Sequence, residues 1–167
     1  MNENRNPVLI GMPTAGKTTL GKLLSKELGR ELIEMDDEIV RKAGMPVTEI
    51  FRIFGETYFR MLETEVCREI SGRENAVISC GGGVIKNPEN MKYLSGNGLI
   101  IWLDRKPELL FASAERPLAA DRISLTRLYE ERKDLYAHYA DLRIENNGTP
   151  EECLKEIITQ TGLRRNG

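Results

Sequence analysis

The chain has 167 residues, 40% of them hydrophobic, enough for one well-buried core and short for two independent domains. Its 24 basic and 26 acidic residues leave a formal net charge of −2, so no overall basic field points to nucleic acid or to an anionic membrane. Apolar runs of a few residues are too short to span a bilayer, the polar Met1 to Asn6 lacks the apolar core of a signal peptide, and Cys67, Cys80 and Cys153 have neither disulfide-framework nor zinc-site spacing, so a cytoplasmic location is expected.

In chain order, the first element is a buried strand, Val8-Leu-Ile10, that runs into Gly11-Met-Pro-Thr14-Ala15-Gly16-Lys17-Thr18, followed by Thr19. This fits G-x-x-x-x-G-K-[ST], a loop whose backbone N–H groups and following helix N-terminus converge on a polyphosphate. Lys17 would reach the outer phosphates and the Thr18 hydroxyl would ligate Mg²⁺. Leu20, Leu23, Leu24 and Leu28 then recur at helical spacing, and Gly29 stops the helix. Glu31 to Met35 is a strand candidate leading to Asp36 and Asp37, with a helix from Asp37 to Ala43. Asp36 either caps that helix or faces the ligand crevice at the strand's C-terminal end.

From Val47 to Gly72 the pattern is helical, an insertion between strands. Within it Arg60 and Glu63 share a face three residues apart, a spacing that a solvated surface pair also has. Ala76 to Ser79 reads as a third strand entering Cys80-Gly81-Gly82-Gly83. Three successive glycines are conformationally expensive and suit either a close approach of backbone to a ligand, with N–H groups free to donate, or a flexible connector. Pro88 to Leu94 is a short helix, Leu99 to Leu103 a fourth strand apolar on both faces, with Trp102 in the core, and Glu108 to Ala114 another short helix. Arg116 to Arg122 reads as a mobile loop, Leu125 to Tyr139 as a helix with His138 on its surface, Leu142 to Glu145 as the last strand, and a closing helix carries Cys153, Leu154, Ile157 and Ile158. There is no internal repeat. Five strands alternating with helices imply an α/β fold: a three-layer arrangement with a five-stranded parallel sheet and helices on both faces.

Taken together, the loop GMPTAGKT, Met35-Asp36-Asp37-Glu38-Ile39, Ile50-Phe51, Gly55-Glu56, Phe59-Arg60-x-x-Glu63, Gly81-Gly82-Gly83, Arg116-Pro117-Leu118 and Arg132-x-x-Leu-Tyr136 resemble the shikimate kinases, in the nucleoside-monophosphate-kinase-like branch of P-loop folds. The resemblance runs from about Val8 to Ile158. It implies a single kinase domain over residues 1–167, with a substrate-binding insertion at about 36–72 and a lid at about 115–122. It also implies ATP-dependent phosphorylation of the 3-hydroxyl of shikimate, a step toward chorismate and the aromatic amino acids, with Mg²⁺ as cofactor. By match to the family motifs, Arg60 and Arg132 hold the substrate carboxylate, with Glu63 beside them. Asp36 binds ring hydroxyls and orients or deprotonates the attacking one, and the glycine turn donates N–H through Gly82. Arg116 closes with the lid on the transferring phosphoryl, which Lys17 also supports. The nucleotide set is Gly11, Thr14, Ala15, Gly16, Lys17, Thr18, Thr19 and Arg116; the metal set is Thr18, with Glu34 and Ser79 acting through water.

The chain departs from the family pattern at Thr14, where another glycine is usual, at Ala15, in place of a small hydroxyl residue, and at Glu34, in place of an aspartate. Leu109 to Glu115 also contains no arginine. The expected partners are ATP or ADP and shikimate, acting on a monomer, with no nucleic acid and no membrane. The alternatives are a related small-molecule kinase for another hydroxy acid and a catalytically weak regulatory paralogue.

Overall fold

The computed structural model describes residues 4–112 and 119–166. Among them, five strands form one sheet in the order β2-β3-β1-β4-β5, every neighbouring pair parallel: β1 is Asn6–Ile10, β2 Glu31–Glu34, β3 Ala76–Ser79, β4 Gly98–Asp104 and β5 Leu142–Glu145. The helices are α1 Lys17–Leu28, α2 Met35–Ala43, α3 Val47–Ile70, α4 Pro88–Asn97, α5 Pro107–Ala112, α6 Ala119–Tyr139 and α7 Pro150–Thr161, with a 3-10 turn at Val84–Lys86.

β1, β3 and β4 are buried along their whole length, as the apolar runs require of central parallel strands. The pleat divides their side chains between two cores. Val8, Ile10, Ile78, Ile100 and Trp102 face α2, α3, α4 and α6, where Ile39, Leu62, Val66, Leu94 and Tyr136 close over them. Leu9, Val77, Leu99, Ile101 and Leu103 face α1 and α7, packing on Leu20, Leu24, Leu28, Cys153 and Ile157. All three cysteines are buried and free.

The chain leaves β1 to one side for β2 and β3 and then to the other for β4 and β5. Connections therefore diverge around β1 and open a crevice at the strands' C-terminal ends, where ligands of open α/β sheets bind. Several boundaries differ from the sequence reading. β2 ends at Glu34 and α2 starts at Met35, two residues before Asp37, because Met35 turns inward and is fully buried as a helical residue. The stretch expected as a loop to Arg122 is helical from Ala119 onward, and Arg122 stacks its guanidinium 3.9 Å over the Phe111 ring of α5. α3 bends at Gly55, whose φ of 85° and ψ of 176° break the helix. Nothing crowds that position, so the backbone angle, and not space, requires the glycine. No helix among the described residues is long and apolar enough to cross a membrane.

Candidate active site

The loop after β1 is built by close approaches. A side chain at Gly11 would place its Cβ 2.6 Å from the Leu103 carbonyl oxygen of β4, and one at Gly16, which starts α1 with φ 94°, would meet the Asn146 amide nitrogen at 2.8 Å. Thr14 holds the left-handed φ of 65°, unusual for a β-branched residue, and its hydroxyl donates to the Leu110 carbonyl at 2.9 Å. That carbonyl lies in the last turn of α5, where helical partners run out, so Thr14 ties the loop to α5. Asn146 donates to the Ala15 carbonyl at 2.7 Å from the end of β5. The Ala15 side chain is itself buried, leaving only its backbone to the site.

Lys17 is only 8% exposed, and its ammonium donates to the loop's own Gly11 and Met12 carbonyls at 2.6 and 2.7 Å. Burial lowers its pKa to about 8, with nearby Cys80 and Asp36 pulling the other way. A cavity of about 600 Å³ joins Thr14, Gly16, Lys17, Thr18 and Thr19 to Glu34, Asp36, Ser79, Gly81 and Gly82. Asp36 sits in the first turn of α2, whose N-cap is Glu34 without a side-chain cap bond, so Asp36 does not cap that helix. Burial raises its carboxyl above the ordinary range, against the pull of Lys17.

The three-glycine turn is where the remaining residues meet. A Cβ on Gly81 would lie 3.4 Å from an Asp36 oxygen and 3.6 Å from a Glu63 oxygen. One on Gly82 would lie 2.8 Å from Pro13 and 3.2 Å from an Arg132 nitrogen, and one on Gly83 2.6 Å from both terminal nitrogens of Arg60. None of the three is in the left-handed region. The sequence reading took the glycines as backbone laid against a ligand or as a flexible connector; the structure gives an added reason at Gly82 and Gly83, where Pro13 and Arg60 occupy the space in which methyl groups would stand, whereas a methyl at Gly81 would make only ordinary contacts. Arg60 and Glu63 are not a solvated surface pair. Glu63 is 1% exposed, and Arg60 donates to both its oxygens at 3.0 and 3.3 Å. Burial still pushes the Glu63 carboxyl upward, with the Arg60 guanidinium opposing.

Glu34 has one oxygen, Oε1, buried without a hydrogen-bond partner, and it borders the same cavity as Thr18 and Ser79. An orphaned carboxylate oxygen beside two hydroxyls suits a hydrated hard cation. Among the described residues no three acidic, histidine or cysteine side chains gather into a metal site, so most ligands of such a cation would come from nucleotide and water.

Arg116 and the first half of the expected lid, 115–118, lie outside the described residues. His138 is exposed, as expected. The sequence reading passed over Asn146, because nothing local signals that its amide spans back to Ala15. Arg105, which donates to the Asn146 carbonyl at 2.6 Å and borders the cavity, was missed for the same reason.

With this geometry in place, the comparisons are specific. A family model described as shikimate kinase matches residues 13–161. The shikimate kinase of Persephonella marina is 40% identical over 160 residues, spanning 92% of this chain and 97% of that one. The solved structure of shikimate kinase from Acinetobacter baumannii in complex with shikimate has a TM-score of 0.88 at 33% identity, covering 93% of this chain and 92% of that one. A gluconokinase from Sinorhizobium meliloti, at 15% identity and a TM-score of 0.59 over 95% of this chain and 92% of its own, is alike in fold alone. A phosphate-binding loop, a glycine turn packed against two arginines with the buried Glu63 and with Asp36 beside it, and matches over nearly the whole length lead to one assignment: the chain belongs to the shikimate kinase family.

Proposed function

We propose that the protein transfers the γ-phosphoryl group of ATP to the 3-hydroxyl of shikimate, as a single kinase domain with a substrate-binding insertion at about 36–72 and a lid at about 115–122. The observation that carries this reading is the gathering of Arg60, Arg132, Asp36 and Glu63 on one three-glycine turn beside the phosphate loop. A small ring acid with one carboxylate and several hydroxyls needs such a set: fixed guanidinium donors for the carboxylate and carboxylate acceptors for hydroxyls.

In this reading Arg60 and Arg132 clamp the shikimate carboxylate and Gly82 donates its N–H to the substrate. Asp36, whose burial strengthens its hold on a proton, receives the proton of the attacking hydroxyl. The N–H groups of the loop and of the first turn of α1 cradle the phosphates. Lys17 exchanges its two loop carbonyls for phosphoryl oxygens, and Arg116 adds charge from the lid. Thr18, with Glu34 and Ser79 through water, would hold Mg²⁺, which neutralises phosphate charge. The protein acts as a monomer, and its three buried free thiols suit a reducing cytoplasm.

The test is a coupled assay of ADP release against shikimate, quinate and gluconate. Turnover is expected with shikimate at a kcat/KM at least about tenfold above quinate; a preference for gluconate, or no turnover with shikimate, refutes the assignment.

A second expectation concerns protons. Burial brings the Lys17 pKa to about 8, and nucleotide phosphates would raise its affinity for a proton. At pH 8 ADP binding should take up about half a proton, vanishing toward pH 6 where Lys17 is already charged. Calorimetry in buffers of different ionisation enthalpy measures this, with Lys17→Met as the variant in which the pH 8 uptake disappears.

A further inference from the structure

The Tyr136 side chain is fully buried on the inner face of α6. Its hydroxyl donates to the Gly82 carbonyl at 2.6 Å, across 54 residues of sequence. Arg132, one helical turn earlier on the same face, lies close enough to that hydroxyl to act on its proton, and its own nitrogen passes 3.2 Å from where a Gly82 Cβ would be. Burial pushes the phenol up to about 12, so it keeps its proton throughout the working range. A guanidinium offers only donors and a carbonyl only acceptors. The phenol therefore gives its one proton to Gly82, and its oxygen is left to serve Arg132 only as an acceptor. Its ring stacks on Trp102 of β4, centroids 5.8 Å apart, and Tyr129, one turn before Arg132, donates to Asp104 at the end of the same strand at 2.9 Å. α6 is thus fastened to β4 on either side of Arg132.

We propose that Tyr136 is a positioning residue for the acidic substrate, its single hydroxyl setting the Arg132 guanidinium and the Gly82 peptide in fixed relation so that both meet one bound carboxylate-bearing ring. The proposal rests on the reading of Arg132 as a carboxylate clamp. Without the hydroxyl, the Gly82 carbonyl loses its donor and Arg132 loses the nearby acceptor oxygen, while the ring and its stacking on Trp102 remain.

The test compares Tyr136→Phe, Arg132→Ala and the double variant in steady-state kinetics. Tyr136→Phe is expected to raise the KM for shikimate about tenfold while changing the KM for ATP less than about twofold. Its effect in the Arg132→Ala background should be much smaller than in the wild type, because the hydroxyl acts largely through that arginine. Trp102 is the only tryptophan, so quenching of its emission by shikimate gives a binding constant for any variant too slow to assay. A raised KM for Arg132→Ala beside an unchanged one for Tyr136→Phe overturns the positioning role and leaves the clamp standing. Unchanged values for both overturn the clamp and the proposal with it. Equal losses for ATP and shikimate, or effects that multiply fully in the double variant, make Tyr136 an ordinary core residue and overturn the proposal.

Discussion

Lys17→Met is expected to lose turnover by at least about a thousandfold and yet to melt no earlier than the parent protein. The two effects share one cause. The ammonium is buried against the loop carbonyls, and burial brings its pKa from 10.5 down to about 8. A lysine whose folded pKa is depressed binds its proton less tightly folded than unfolded. The cost to stability is complete below about pH 8 and fades as pH rises toward 10.5. At about 1.4 kcal/mol per pKa unit the charge costs the fold on the order of 3 kcal/mol near neutrality. Methionine removes that cost and forfeits two hydrogen bonds to the Gly11 and Met12 carbonyls, each worth about 1 kcal/mol. The net is a gain of about 1 kcal/mol, a rise of a few degrees in Tm at pH 7 that disappears by pH 10. Thermal melts at the two pH values beside a kinase assay measure both halves. Turnover near that of the parent, or a clear drop in Tm at pH 7, would contradict this account of the lysine.

Arg60→Ala should lose both shikimate binding and stability, whereas Arg132→Ala should lose mainly binding. The difference lies with Glu63, which is buried and, among the described residues, forms its ion pair with Arg60. Removing one partner of such a pair strands the other charge, at about 3 to 5 kcal/mol. The pH dependence has a definite sign. Burial holds the folded Glu63 pKa above its unfolded value, so this group's contribution to stability falls as pH rises through that interval. Loss of Arg60 widens the interval, and the stability deficit of Arg60→Ala should therefore be larger at pH 8 than at pH 5. Adding Glu63→Gln should restore much of the Tm without restoring the KM for shikimate, which is expected to rise at least about tenfold in either background. Denaturant unfolding at both pH values and shikimate kinetics distinguish the outcomes; a restored KM in the double variant would mean that Arg60 serves only to neutralise Glu63.

What the sequence revealed and what it withheld divide along range of interaction. The phosphate loop was legible because its strand, turn, lysine and helix start are contiguous, and the five strands were legible because burial on both faces leaves unbroken apolar runs such as Leu99 to Leu103. The start of α2 was misplaced by two residues because Met35 is apolar in either a strand or a helix, and its identity does not choose. The glycine turn stood out in the sequence, but the crowding by Arg60, Arg132 and Pro13 comes from three distant segments that no local pattern brings together. Asn146 and Arg105 were hidden for the same reason. Thr14 is a partial exception: its departure from the usual glycine was visible, whereas the Leu110 carbonyl that holds its hydroxyl was not.

The central place of β1 governs how the chain must assemble. Its first strand pairs on one side with β3, Val8 opposite Ile78, and on the other with β4, Val8 opposite Ile100. Neither neighbour follows it directly in sequence. During synthesis the strand that carries the phosphate loop therefore emerges before both its partners, stays unpaired and wholly apolar at Val8 to Ile10 until β3 is made through Ser79, and keeps one edge open until β4 is complete at Asp104. Such non-local, parallel pairing slows folding and leaves a sticky segment exposed to other chains in the interval. Its shortness, five residues beginning with Asn6 and Pro7, limits that hazard, since proline cannot donate to a foreign strand and so blunts one end of the template.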